Sequence, residues 1–421
     1  MVSFLKRWLP EVDNHQVRWY YLTSILLDIW FVEAIWYFYW GKFGNYQAVG
    51  TVLAILTIVW VILEIPTGLF ADKFGRRKST VLGVGIMAGG AIIMAGGQNM
   101  AWLVVGGFLE NVGRAFVSGA MEALVYEDIK VKYKGKADDI YGRVVAARLR
   151  WQILGYGLSV AVGGFLFEIY FRLAHIFQAI AIGTAFWASS HLKEAGVRLR
   201  KDEKVDYVAG FRQLLSKKMS LYVVPLLVAG ILIYIYDWGL SKPNIALKFG
   251  LGYQAQGILF GLMGVADAML LGQFSKWRKK VGDYRSIYLI NMLVAGGFWA
   301  AGWVTGYLGL TILLMMELVT AWGAAVGSVI TNKYIGSKYR ATVLSTVEFV
   351  SKIPFVLTAP LAGRLIDLGK IDSFHRGIGG LGIMVGVVAY LVLKDDRASK
   401  GKTAFAKAVA GRYNMNSRKC P

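Results

Sequence analysis

Nine carboxylates stand inside apolar stretches of this sequence: Asp28, Glu33, Glu64, Glu110, Glu122, Asp237, Asp267, Glu317 and Glu348. Two bases accompany them at depth, Arg114 and Lys352. A charge in a long apolar run is expensive, so function is sought there first. A carboxyl with no cation beside it is cheapest to bury carrying a proton; once ionised it calls for water or a cation. That alternation is the chemistry of proton coupling and of cation binding. Glu110 and Arg114 are four residues apart, as are Glu348 and Lys352, which puts each pair on one helical face. A local ion pair and a functional site fit these four equally well. Asp28, Glu33, Asp267 and Glu317 have no base close by in the chain, and Asp28 sits near the middle of its stretch. Glu64, Glu122 and Asp237 lie within a few turns of a stretch end, within reach of water. The excess of acids favours cationic or neutral ligands.

Other chemistries find little support. The run "GIGGLG" (Gly377 to Gly382) has the spacing of a dinucleotide fingerprint, but it opens an apolar stretch with no strand before it, so helix packing is the expectation. "GKT" at Gly401 lacks the upstream glycine of a phosphate loop. The four histidines show no metal spacing: His15 and His375 flank apolar stretches and His175 sits in one. The single cysteine, Cys420, leaves neither an internal disulfide nor a thiolate metal site. No cofactor, no metal and no enzymatic activity are expected.

The elements that must position these acids are apolar helices. Hydrophobic residues make up 56% of the chain and charged ones only 17%. About twelve stretches are each roughly long enough to span a bilayer (~20 residues). They lie near 19–40, 47–71, 80–97, 102–126, 151–169, 173–190, 220–240, 253–273, 287–305, 308–330, 343–366 and 377–393. The start "MVSFLKRWLPEVDNHQVRW" reads as an amphipathic, basic leader and not as a cleavable signal. With the N-terminus placed inside, 38 of the 47 Lys and Arg fall on the cytoplasmic side and 6 outside. The net charge of +21 is thereby a matter of membrane topology. Nucleic-acid binding would want those bases on a soluble folded face, and none is expected. The domain reading is a first six-helix bundle over 1–190, a cytoplasmic linker over 191–219 and a second bundle over 220–393. A basic cytoplasmic tail follows over 394–421. The linker holds "FRQLLSKKMS", an amphipathic segment suited to a membrane surface. The chain is expected to be a monomer in contact with membrane lipids.

The two blocks repeat at an offset of about 200 residues. Glu110 and Glu317 fall at equivalent places, and Gly163 matches Gly363. The loop "GLFADKFGRRK" (Gly68 to Lys78) has a worn counterpart in "GQFSKWRKK", with Gly272 for Gly68 and Lys276 for Asp72. Duplicated halves are common in transporters.

That loop carries a resemblance. Gly68, Asp72, Gly75, Arg76, Arg77 and Lys78 match the signature loop between helices 2 and 3 of the major facilitator superfamily, at the right place in a twelve-span chain. "LEIPTGLFADKFGRRKS", "SGAMEALVYEDIK" and "YRATVLSTVEFVSK" resemble prokaryotic members of the drug/proton antiporter branch. The resemblance implies an all-α membrane fold of twelve helices in two pseudo-symmetric six-helix bundles. It implies that Asp72 meets the start of helix 11, near Arg340 and Ala341, and that Arg76 pairs with Glu127 or Asp128. That cluster would latch the outward-open state. It also places Asp28 on a helix lining the central cavity. "GYGLSVAVGG" resembles the antiporter motif of helix 5 through Gly155, Gly163 and Gly164, while Ser159 and Val160 replace its small residue and proline. Arg114 resembles the family's helix-4 arginine, one residue farther from Gly119. The implied function is secondary active transport by alternating access in the plasma membrane: proton-coupled export of small amphipathic or cationic compounds. The alternative is proton-coupled uptake or exchange of a metabolite or lipid-like solute. Asp28, Glu33, Glu110, Arg114, Asp267, Glu317, Glu348 and Lys352 are the coupling candidates.

Overall fold

A computed structural model describes residues 8–194, 217–334, 340–388 and 390–391. Among these residues the regular structure is helical throughout, with no strand. The first half comprises α1 (His15–Leu27), α2 (Trp36–Gly41), α3 (Tyr46–Phe74), α4 (Arg76–Ala95), α5 (Met100–Val117), α6 (Ala120–Lys132), α7 (Ala137–Ile169) and α8 (Leu173–Ser190). The second comprises α9 (Lys217–Asp237), α10 (Ser241–Lys248), α11 (Tyr253–Val281), α12 (Asp283–Ala301), α13 (Leu310–Tyr334), α14 (Arg340–Asp367) and α15 (371–388). Six stretches have the length and apolarity of a membrane crossing on their own. The pairs α1–α2 and α9–α10, with α11, α12, α13 and α15, make the other six. Most of the expected linker, 195–216, and the tail beyond 391 lie outside the described residues.

The halves repeat more closely than the sequence shows. α3 and α11 are each 29 residues long, and each ends at a glycine with positive φ, Gly75 (φ 106°) and Gly282 (φ 89°). Asn45 and Gly252 precede the same two helices. These pairs, like Glu110 and Glu317, are 207 residues apart. The expected register of the second loop is therefore corrected by three residues. Gly282 is the counterpart of Gly75, and Lys279, not Lys276, stands where Asp72 does. The turn fixes the register, because only glycine takes this φ at no cost.

Three spans read as continuous from their apolarity are broken. The first opens between α1 and α2, over 28–35; the fourth at Ser118 and Gly119 (φ 70°); the seventh over 238–240. Gly119 and Gly239 give local reasons for the last two. The first break contains neither glycine nor proline, and its reason is tertiary. Its freed backbone groups bond to side chains of α7 and α8. The Trp30 N–H donates to Ser159 Oγ (2.9 Å) and the Phe31 N–H to Gln178 Oε1 (3.0 Å), while Gln178 Nε2 donates to the Ile29 carbonyl (2.9 Å). Gly163 lets the Phe31 backbone pass, since a Cβ there would run into the Phe31 carbonyl. So Ser159, the departure from the helix-5 pattern, is a backbone ligand of the broken span. Irregular backbone at membrane depth is tolerated only where protein groups satisfy it.

α3 packs on α14 and α7 on α11, which joins the halves. These contacts gather at the middle and at the end opposite the Gly75 loop. Gly50 meets the Ala359 backbone, Gly363 the Tyr46 backbone, and Gly157 the Gly261 carbonyl. The Tyr46 and Gln47 N–H groups donate to the Asp367 carboxylate (both 2.9 Å). Asn244 Nδ2 donates to Tyr37 Oη (3.2 Å). The larger apolar core runs through this closure, while a second lies within the first half, toward the Gly75 end.

Replacing Gln178 by Leu leaves the Phe31 N–H and the Ile29 carbonyl without partners. An orphaned buried polar group costs ~1–3 kcal/mol. Gln178→Leu should lower the midpoint of thermal unfolding in detergent by several degrees, whereas Thr184→Val, on the exposed side of α8, should not.

Candidate functional site

The breaks in spans 1 and 7 face each other and frame two adjoining hollows. One, of about 240 Å³, carries a cluster of aromatic rings in its wall, among them Trp30, Trp36, Trp60, Tyr234 and Trp238. The other, of about 530 Å³, is lined by Asp28, Glu33, Asp237, Asp267 and Glu317 with Lys242 and Arg114. Trp30, Glu33, Arg114, Asp237 and Trp238 belong to both walls. Trp30 and Trp238 come from the two breaks and meet edge to face, centroids 6.5 Å apart. Trp60 adds a third ring, 6.5 Å from Trp238. Aromatic faces hold apolar ligands and attract cations.

The charges in this region are shared between spans. Glu110 and Arg114 form the expected local pair (2.9 Å), and the Arg114 guanidinium also lies 4.6 Å from the Trp30 ring centroid. Lys352 places its ammonium over Trp60, 4.0 Å from the centroid. The side chains of Glu64 and Glu348 lie outside the described residues, so the Glu348–Lys352 pairing does as well. Glu317 accepts from Tyr236 Oη (2.8 Å) and from Lys242 Nζ (3.1 Å). Glu33 and Asp237 line the chamber beside that pair. Asp267 has one carboxylate oxygen buried with no hydrogen-bond partner among the described residues.

Two expectations are corrected here. Asp28 is not without a base, because Arg148 Nη1 approaches its Oδ2 at 3.5 Å. Chain proximity could not reveal this. α7 begins at Ala137, a full fourteen residues before the apolar stretch does, so Arg148 rides on the helix and not in a loop. Likewise Arg114 and Lys352 are not the only bases at depth. Lys242, read as an outside-loop residue, is 8% exposed. Span 7 does not stop at its first break but continues as α10, which carries Lys242 into the interior. The apolar residues of "SKPNIALK" were the available signal. Asp237 ends α9 at the break and lines both hollows. Glu122 lies with Asp28 and Arg148 around a further hollow of about 380 Å³, which shares Asp28 and Arg114 with the acid-rich one.

At the Gly75 end, Arg76 pairs with Glu127 (2.6 Å), one of its two expected partners. The other, Asp128, instead takes Lys132 (3.1 Å) and Asn14 (3.0 Å). Gly75 makes the tight reversal. The Arg76 and Arg77 N–H groups that open α4 donate to Glu194 (both 3.1 Å), a cap at a helix N-terminus where an anion is favoured. Arg77 also donates to the Ser190 and Leu192 carbonyls at the end of α8. Sequence reasoning missed Glu194, more than a hundred residues away. A Cβ at Gly68 would meet nothing within 4 Å among the described residues, and Asp72 is exposed. The Arg340 and Ala341 side chains lie outside the described residues. "GIGGLG" lies on α15 and packs: Gly379 meets the Trp299 backbone and Gly382 the Ala295 and Leu232 side chains.

Known proteins resemble this arrangement. The chain is 24% identical over 259 residues to multidrug resistance protein 1 of Bacillus subtilis, covering 59% of this chain and 63% of that protein. It is 26% identical over 294 residues to multidrug resistance protein 2 of the same organism, covering 65% and 71%. It is 20% identical over 370 residues to the quinolone resistance protein NorA of Staphylococcus aureus, covering 83% and 88%. The chain thus matches less than two thirds of the first relative's length. In fold it is similar to the nucleoside transporter NupG, with a TM-score of 0.71 at 13% identity, over 91% of this chain and 99% of that one. The sequence model of the Major Facilitator Superfamily matches residues 21–238. With twelve spans in two repeated halves around a central cavity, the chain belongs to the major facilitator superfamily: it is an integral membrane protein.

Proposed function

We propose that the protein is a proton-coupled exporter of small amphipathic cations, working by alternating access. One observation carries this reading: Glu33 and Asp237 stand in the wall between a tryptophan-lined hollow and an acid-rich chamber. An aromatic ligand bearing a positive charge finds its two chemical needs side by side there. The acids outnumber Arg114 and Lys242, so a cation is favoured over an anion. The names of the relatives, multidrug and quinolone resistance proteins, support an export role.

In this reading the Gly75 end is cytoplasmic, with both termini and the 191–219 linker on that side. The packing at the opposite end then corresponds to an inward-facing state. An exposed Asp72 agrees with that, because the latch at Asp72 belongs to the outward-open state. Arg76–Glu127 and Glu194 hold the loop in shape within the first half through either state. The first bundle (1–190) and the second (220–393) rock about the far-end contacts. The carboxylates alternate between proton and substrate: Asp28 when ionised holds Arg148, and a proton releases it.

Labelling single cysteines at Lys42 and Lys201 should succeed from opposite sides of the membrane; reaction of both from one side would invert the topology. In proteoliposomes, an imposed proton gradient should drive uptake of lipophilic aromatic cations into an acidic lumen and leave neutral nucleosides and anions unmoved. Transport insensitive to the gradient, or confined to neutral solutes, would refute the reading. Asp28→Asn should abolish gradient-driven movement while the protein still inserts and binds cation. Asp72→Asn should slow turnover without altering cation affinity in the inward-facing state. A latch of this kind biases states by ~1–3 kcal/mol, or 5–150-fold, and spin-label distances across the two ends report it.

A further inference from the structure

Lys242 is the second residue of the eight-residue helix α10. Its ammonium donates to Glu317 Oε2 at 3.1 Å, and the other oxygen of Glu317 takes the Tyr236 hydroxyl at 2.8 Å. It also lies over the Phe260 ring, 4.4 Å from the centroid. Two further carboxylates share the chamber and interact electrostatically with it: Asp237 from its own half and Glu33 from the other. A single structural ion pair has no use for these extra acids, and burying them together is costly. An ammonium resting on an aromatic face amid three carboxylates has the surroundings that a bound organic cation would have.

We propose that Lys242 is a tethered competitor of the substrate. In the empty protein its ammonium fills a cation subsite made by Glu317, Asp237 and Glu33, and a cationic substrate gains that subsite by displacing it. This deepens the transport reading above and rests on it. Lysine suits the part, because its ammonium is a compact charge on a flexible four-carbon stem. Once displaced it remains in the chamber and turns to another of the three carboxylates. So the empty site never presents an uncompensated cluster of acids.

The same helix touches the far-end closure. Asn244, two residues beyond Lys242, donates to Tyr37 Oη on α2. Tyr37 stacks on Tyr46, with centroids 4.4 Å apart and planes at 16°. The Tyr46 N–H in turn donates to Asp367. When the ammonium leaves Glu317, α10 loses its anchor in the chamber, while Asn244, with Lys248 on Asp372 and the Ala301 carbonyl, still holds the helix at the far end. Substrate arrival and loosening of that closure thereby act on one short helix.

Competition has a signature that a structural salt bridge lacks. With Lys242 in place the subsite has three acids and one resident cation. Removing the base leaves one more carboxylate for the ligand, and a dication gains more from it than a monocation does. The experiment uses the full-length protein in nanodiscs, with quenching of tryptophan fluorescence as the readout, since Trp30 and Trp238 line the site. The probes are tetraphenylphosphonium and a bis-quaternary aryl dication. Lys242→Gln should bind the dication about tenfold more tightly than the unaltered protein, the scale of one charge contact, and the monocation by a smaller factor. Lys242→Met keeps the stem and removes only the charge, so it too should bind both probes more tightly. If Lys242→Gln does not fold, Lys242→Met decides alone. Unchanged or weaker binding in every folded variant overturns the proposal while leaving the transport reading intact. An unaltered protein that binds neither cation overturns both.

Discussion

A backbone crossing a bilayer has no water to turn to, so each N–H and carbonyl that leaves a helix must find a partner in the protein. The rest of this structure depends on how that constraint is met at the break in span 1. Ser159 and Gln178 take the Trp30 and Phe31 N–H groups, and Gly163 makes room for the Phe31 carbonyl. With those bonds made, the chain between Asp28 and Trp36 can run irregularly. Trp30 and Glu33 then reach the central cavity from a segment that a continuous helix would have turned elsewhere. The second half reaches the same result by a more local route, with Gly239 at the break and Pro243 just beyond it. The two breaks are the walls of the site.

Charge follows from this arrangement. Around the cavity, three acids among the described residues have a base on another turn or another span: Asp28 with Arg148, Glu110 with Arg114, Glu317 with Lys242. A buried pair contributes little to stability when desolvation is counted, yet breaking one is costly. Such pairs are therefore poor as scaffold and good as switches, because a proton or a cation that takes one partner's place changes what the other must do. Glu33, Asp237 and Asp267 share the chamber with more acid than base around them, the imbalance on which the proposed preference for positive charge rests.

The Gly75 loop solves a different problem. It reverses the chain between two long helices and ties α4 to α6 and to the end of α8 through Glu127, Glu194 and the Arg77 contacts. These bonds tie the loop to the first bundle and to the residues that directly follow α8. Asp72 takes no part in this set and is exposed. The same glycine geometry recurs at Gly282, while Lys279 stands there in place of Asp72, so the two halves share the turn and not the acid.

Apolarity and the distribution of Lys and Arg by themselves determined the number of crossings, their approximate places and the class of protein. These signals are legible because a bilayer imposes length and polarity on every span separately, with no reference to neighbours. The Arg76–Glu127 pairing was legible through the family resemblance of the loop, and the Glu110–Arg114 pair through spacing on one helix. The break in span 1 was not legible. "DIWFVE" contains no glycine or proline, and its non-helical path is paid for by Ser159 and Gln178, more than a hundred residues away. Arg148 beside Asp28 was hidden for the same reason, and Lys242 because a span that breaks and resumes looks like a span that has ended. Local sequence carries what each segment needs from its solvent. Which distant side chains meet, and so which acid keeps a base and which is left for a ligand, was decided only when the helices packed.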